Sequence, residues 1–343
     1  MANSYHTALN KDYTLKIRAL LTELPVLCGS FFRAIDSQTS VLTRYAYAID
    51  LRGFFQFTVQ QEDLFFGKDI PSLTASDLEK VQAYHIELYL SEVSFYQKDE
   101  RERVNQERAK ARKLSSLRSF FKFLHKQEYL PSNVASLVDI PKLNEKAIIR
   151  LEPNEVADLL DLVENGEGLT DGQKKYHDVT KLRDVAILTL FLGTGIRISE
   201  LHDIDFGNNA FVVTRKGGNE DILNFGEEVH AALADYFCVR EKLSPLPGNE
   251  RALFLSMQMR RINVRTVELL VKKYAKLAAP LKKITPHKLR STYGTMLYHE
   301  TEDIYLVADV LGHKDVNTTR KHYAASSEEH KRIAAKKIKL RDD

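Results

Sequence analysis

Apolar residues recur at helical spacing along most of this 343-residue chain. Over residues 39–59, Leu42, Tyr45, Ile49, Phe54, Phe55 and Phe57 follow approximately one helical period, and Thr39 or Ser40 offers a hydroxyl to cap the first turn. A second helix is expected to open at Thr74-Ala75-Ser76-Asp77, rich in N-cap candidates, and to run through Val81, Tyr84, Ile86, Leu88 and Leu90. The third and longest spans residues 102–126. Arg103, Arg108, Lys110, Arg112 and Lys113 crowd its first half, whereas Leu114, Leu117, Phe120, Phe121, Phe123 and Leu124 fill its second, so one end can meet a polyanion while the other packs.

Leu130-Pro131-Ser132-Asn133 ends this helical run, and residues 139–144 read as a linker in which Pro141 disfavours helix on its N-terminal side. The pattern therefore divides the chain into domains 1–144 and 145–343. The second opens with Pro153 suited to a first helical turn. Its pattern is helical except over residues 210–225, where Phe211, Val212 and Val213 face Ile222, Leu223 and Phe225 across Lys216-Gly217-Gly218-Asn219, the signature of a β-hairpin. The fold class is thus mainly α: a helical N-terminal domain, then a mostly helical second domain with a small β-hairpin.

Composition narrows the function. Hydrophobic content of 43% with 28% charged residues is that of a globular chain with ordinary cores. Cys28 and Cys238 belong to no metal or disulfide pattern, no apolar run approaches the ~20 residues of a membrane span, and the first residues lack a signal-peptide layout. A cytoplasmic protein is expected. The net charge of +3 hides a segregation: residues 101–150 hold 12 Lys/Arg against 5 Asp/Glu and residues 241–300 hold 12 against 4, while residues 151–240 hold 8 against 17. Two basic stretches in different halves suit a grip on a polyanion, although solvated helix faces would give the same counts.

A set of polar residues in the second half carries the chemistry: Arg197 in GTGIRISEL, Lys216 in TRKGG, His287 and Arg290 in TPHKLRS, His313 in LGHKD, and Tyr323. Gly193 and Gly195 should end the apolar helix over 185–192, which puts Arg197 early in a new helix with Glu200 one turn on. Alone, that pair would be an ordinary surface ion pair. Thr285-Pro286 is a strong helix start, so His287 and Arg290 share a face near a positive helix end, where an anion is favoured. Leu311-Gly312 closes the helix over 304–310 and leaves His313 at its exit, and a further helix from Asn317, Thr318 or Thr319 would carry Tyr323.

In order and combination, these words resemble the tyrosine recombinases of the phage-integrase and Xer type over essentially the whole chain. The resemblance implies a DNA-binding helical domain over 1–144 and a catalytic domain over 145–343. It implies that Arg197, His287, Arg290 and His313 hold the scissile phosphate, with Glu200 in support, Lys216 as the hairpin lysine and Tyr323 as nucleophile. Two departures stand out: Ser291 occupies a position where many members have a second histidine, and His322 fills the nearer of the two tyrosine slots, leaving Tyr323 in the farther.

The residue types suit the implied reaction. Guanidiniums bond nonbridging phosphate oxygens in a fixed plane, His287 can take the Tyr323 proton, and Lys216 can protonate a departing 5′-hydroxyl. A 3′-phosphotyrosyl link would store the bond energy, so neither ATP nor a metal or other cofactor is called for. Double-stranded DNA is the implied partner, with Arg103, Arg108, Arg112, Arg118, Arg260, Arg261 and Arg265 as candidate contacts. The resemblance also implies a homotetramer on two DNA sites, held by exchange of a C-terminal helix over 328–343, and a nucleoid-associated role in mobile-element integration or excision or in chromosome dimer resolution. A type IB topoisomerase-like relaxase and a non-catalytic DNA-binding regulator remain as alternatives.

Overall fold

Phenylalanines adjacent in sequence shape the N-terminal half. The computed structural model describes residues 5–98, 101–104, 107–142, 148–207, 211–215, 219–313, 315–317 and 319. Its contacts divide the chain into two compact units, His6–Lys146 and Ala147 onward. The first unit contains α1 (Tyr5–Leu21), α2 (Val26–Ala34), α3 (Val41–Thr58), α4 (Ala75–Leu78) and α5 (Ala83–Glu92), then a hairpin of β1 (Phe95–Lys98) and β2 (Arg101–Val104), and finally α6 (Glu107–Lys126). Phe54 and Phe55 of α3 meet Phe121 and Phe120 of α6 edge to face, with ring centroids 6.2 and 6.0 Å apart. Each Phe pair spreads over enough of its helix to serve two neighbours: Phe31 of α2 also reaches Phe120, and Tyr89 of α5 reaches Phe54.

One buried charge ties α3 to α6. Asp50 is fully buried and accepts from Arg112, from Lys113 at 3.4 Å and from the Ser116 hydroxyl at 2.7 Å. The carboxylate would be intolerable there without these partners.

Two expectations for this unit change. The helix expected over 102–126 begins only at Glu107, because Arg101–Val104 pairs antiparallel with Phe95–Lys98, from Phe95 opposite Val104 to Lys98 opposite Arg101. Arg103 thus lies on a strand, and its side chain is outside the described residues. Its charged neighbours favour helix in isolation, but Phe95 and Tyr96 supply a partner strand that local propensity does not register. The helix expected from Thr74 through Leu90 is two: Thr74 and Asp77 cap α4 reciprocally, while extended Gln82 starts α5 with the His85 ring accepting its backbone N–H at 2.9 Å. The start of α3, by contrast, is where the sequence puts it, with Ser40 accepting from the Thr43 backbone.

The second unit is assembled around one long helix. Its elements are α7 (Pro153–Asn165), α8 (Asp171–Thr194), α9 (Ile198–Asp203), the antiparallel hairpin β3 (Val212–Thr214) and β4 (Glu220–Ile222), α10 (Glu227–Arg240), α11 (Val264–Ala278), α12 (Pro286–Thr301) and α13 (Ile304–Val310). Every residue of α8 from Val185 to Leu192 is buried, because α7, α10 and α12 all pack on it. Gly193 does not end this helix as expected; it lies within it, where a Cβ would come 2.3 Å from Val229 Cγ2 of α10. Gly195 makes the stop alone, with left-handed φ of 61°. The molecule is mostly helical with two small hairpins among its described residues, in line with the fold class read from the sequence. No described helix is long and apolar enough to cross a membrane.

Candidate active site

The last turn of α13 is the scaffold of the site. Gly312 adopts a left-handed φ of 58°, its N–H bonds the Asp309 carbonyl at 2.7 Å, and the His313 N–H reaches back to the Ala308 carbonyl at 2.9 Å. This paired closure is why the helix needs glycine at 312 and why the next residue is thrown off the helix end. It leaves the carbonyls of Val310, Leu311 and Gly312 without helical partners, at the negative end of the helix.

Arginines from three separate stretches fill those carbonyls. Arg197 Nη2 donates to Leu311 O at 3.3 Å and Gly312 O at 3.1 Å. Arg290, buried in the first turns of α12, donates from Nη2 to the same Leu311 carbonyl and from Nη1 to Gly195 O. Arg215, just after β3, donates to Val310 O at 3.1 Å. Arg197 and Arg290, 93 positions apart in sequence, therefore share one acceptor next to His313.

Glu200 balances the cations. Its side chain is 2% exposed and serves as N3 of the capping box that starts α9: Oε2 accepts from the Arg197 N–H at 2.9 Å and Oε1 from Arg197 Nη1 at 2.7 Å. Oε2 also accepts from Arg215 Nη1 at 3.1 Å. Arg197 is hence the N-cap residue of α9 and not a residue of its first turn, because its backbone is still extended with ψ of 148°.

The histidines are held differently. His313 Nδ1 lies 2.8 Å from the hydroxyl of buried Thr319, a contact that fixes the ring and aims Nε2. His287 is exposed on the first turn of α12, after Thr285 and Pro286 start that helix, and three residues ahead of Arg290. Thr285 starts the helix through its extended backbone; its side chain makes no capping bond. Lys216 and Tyr323 lie outside the described residues. A cavity of about 490 Å³ opens beside the cluster, with Arg215, Asp221, Tyr293, Asp309, Gly312 and His313 in its walls. Burial pushes the Tyr293 hydroxyl pKa above its ordinary value, so this neighbouring phenol stays protonated near neutral pH.

Three guanidiniums, an imidazole and a buried carboxylate are thus gathered around one helix end. The model of the phage integrase family matches residues 150–330, which holds all of these groups and more than half of the chain. The chain belongs to the phage integrase family. Tyrosine recombinase XerC of Caldanaerobacter subterraneus subsp. tengcongensis is 36% identical over 303 residues, covering 85% of this chain and 80% of the relative. XerC of Leptospira interrogans is 28% identical over 88% of this chain and 89% of the relative. Among solved structures, XerH recombinase bound to a palindromic difH substrate shares the fold with a TM-score of 0.64 at 18% identity, covering 91% of this chain and 83% of that one. A lambda integrase dimer on a core site shares it with a TM-score of 0.61 at 16% identity, covering 92% and 98%. This phage integrase family member is a tyrosine recombinase, an enzyme of site-specific DNA recombination.

The candidate DNA contacts of the recombinase divide into two groups. Arg108 on α6 and Arg260 are exposed, and Arg265 is exposed beside Glu268 at 2.8 Å. Three have structural partners: Arg112 bonds Asp50, Arg118 bonds the carbonyls of Ala135 and Val138, and Arg261 bonds those of His202 and Ile204 together with Asp205, while the Arg103 side chain lies outside the described residues. Sequence reasoning passed over Arg215, the contact of Thr319 with His313 and the packing role of Gly195. Arg215 is the first basic residue of TRKGG, beside the more conspicuous Lys216, and adjacent cations usually mark a solvated turn. Gly195 reads in the sequence as a helix stop alone, yet a Cβ there would fall 2.5 Å from the Tyr293 ring and 2.8 Å from Leu311.

Proposed function

We propose that the recombinase cuts and rejoins DNA through a 3′-phosphotyrosyl intermediate on Tyr323. The observation that carries this reading is the shared Leu311 carbonyl, which orients Arg197 and Arg290 toward one locality beside His313. A planar guanidinium whose edge is fixed by carbonyls presents its remaining surface at a set angle, as recognition of a phosphate requires. In the forward step Tyr323 Oη attacks phosphorus and the bond to the 5′-oxygen breaks. His287 takes the tyrosine proton and Lys216 protonates the departing 5′-hydroxyl. Arg197 and Arg290 bind the nonbridging oxygens and His313 donates to one of them, each arginine worth on the order of 10²-fold in rate. A 5′-hydroxyl from another strand reverses the step, so the bond energy is conserved without ATP, and side chains of the protein supply the positive charge at each stage.

Double-stranded DNA is the partner in this reading, and Arg108, Arg260 and Arg265, exposed as they are, are the favoured phosphate contacts of the helical 1–144 domain and the 145–343 catalytic domain. The assembly is a homotetramer on two sites, joined through residues 328–343, which lie outside the described residues. The same chemistry serves integration or excision of a mobile element and resolution of chromosome dimers, in a cytoplasmic, nucleoid-associated setting. The test is incubation with a nicked suicide site followed by denaturing electrophoresis. A covalent protein–DNA band is expected, surviving chelator and absent from Tyr323→Phe; a band retained by that variant would refute the assignment. Relaxed circles without recombinant product would instead favour a topoisomerase-like activity. Removal of residues 328–343 is expected to abolish synapsis of two sites while binding to one persists, and unchanged synapsis would exclude the helix exchange.

A further inference from the structure

We infer that Arg215 is a positioning residue of strand cleavage, which holds Arg197 and the His313 turn in place through Glu200 and the end of α13. The inference rests on the reading of the site as a cleavage centre. Arg215 uses its whole guanidinium. Nε donates to Asp221 Oδ2 at 3.0 Å, Nη1 to Glu200 Oε2 at 3.1 Å and Nη2 to the Val310 carbonyl at 3.1 Å, while its side chain is only 10% exposed. Its stem lies against Gly312, where a Cβ would come 3.3 Å from Arg215 Cδ and Nε. One side chain thereby joins the β3–β4 hairpin, the acid that caps α9 and the turn that ends in His313.

The electrostatics argue for more than packing. Glu200 is buried between two guanidiniums, and removing one leaves a buried carboxylate paired, among the described residues, with Arg197 alone. Arg197 would then be drawn onto Glu200 and away from the Leu311 and Gly312 carbonyls that set its angle. A lysine at 215 restores the charge but not the bonds, because a single ammonium cannot span acceptors on three elements in one plane. Arg215 also immediately precedes Lys216, so the same anchor lies one peptide unit, about 3.8 Å between Cα atoms, from the hairpin lysine.

The test uses the full chain in single-turnover cleavage of suicide DNA, with affinity for uncleaved duplex and thermal unfolding measured beside it. Arg215→Met, which keeps the stem, is expected to lose on the order of 10- to 100-fold in cleavage rate with unchanged DNA affinity, the range in which a small misplacement of catalytic groups falls. Arg215→Lys should recover part of that loss. Combined with Glu200→Gln, the two losses should be less than multiplicative, since both variants break one network. A wild-type cleavage rate in Arg215→Met, or losses that multiply, overturns the inference. If Arg215→Met fails to fold, Arg215→Lys decides, and a wild-type rate there overturns it equally. Tyr323→Phe in parallel separates the two levels: a covalent band in that variant sinks the reading of the site, whereas its absence beside a wild-type Arg215→Met sinks the positioning role alone.

Discussion

Single residues act here mainly through the backbone groups that helices leave unpaired. Val310, Leu311 and Gly312 expose carbonyls because a helix must end, and arginines brought from positions 197, 215 and 290 satisfy them. The motif words named Arg197, Arg290, His313 and Glu200 one at a time, but the shared acceptor could not be read from them, since a carbonyl carries no side-chain signature. Gly195 shows how little room the arrangement leaves. Gly195→Ala would place a side chain at φ of 61°, against the Tyr293 ring and Leu311, on the residue whose carbonyl holds Arg290. We expect a loss of stability of about 2–4 kcal/mol in urea unfolding, from the left-handed backbone and the overpacking together, with slower cleavage by the folded fraction. A loss below about 1 kcal/mol would mean that the α8–α9 turn relaxes easily.

Elements were legible wherever a cap and a period agreed. Ser40 before α3, Pro153 in α7, Pro286 in α12 and Gly312 after α13 all mark boundaries by local chemistry, and the structure puts those helices there. The helix read over residues 102–104 failed because strand pairing depends on a partner outside the window, and the second helix split because α4 and α5 bury residues in the same core and so share one periodic pattern. The α4 cap also predicts a pH dependence. The hydrogen bond from Lys68, with those from Thr74, holds the Asp77 carboxyl down at about 2, against an ordinary 3.8. A folded pKa below the unfolded one stabilises above the unfolded value and is lost as pH falls through the folded one. The melting-temperature gap between wild type and Asp77→Asn should therefore be full at pH 6, shrink below about 3.8 and close toward about 2. A gap that is constant with pH would show that the carboxylate charge contributes nothing.

For the whole molecule, charge segregation in the sequence pointed to a polyanionic partner, and the fold sorts which basic residues are available to it. Arg118 and Arg261 are fastened to backbone carbonyls, whereas Arg108 and Arg260 are exposed. Arg108→Ala and Arg260→Ala should each lower the slope of log affinity against log salt by about 1, as the loss of one phosphate contact would. Arg118→Ala should leave that slope unchanged and lower the melting temperature instead, because it unties α6 from the Ala135–Val138 segment. A slope change in Arg118→Ala would reverse this division.

The sequence by itself determined the reaction class, the helical character and most helix starts. Each of these depends on residue types in short, ordered words, and on turns whose chemistry is complete within a few positions. Only the tertiary structure decided that one helix end collects Arg197, Arg215 and Arg290, that Glu200 is shared between two of them, and that Arg112 and Arg118 hold the fold together. Those are meetings of groups far apart along the chain, fixed by which buried charges and carbonyls needed partners once the cores had closed.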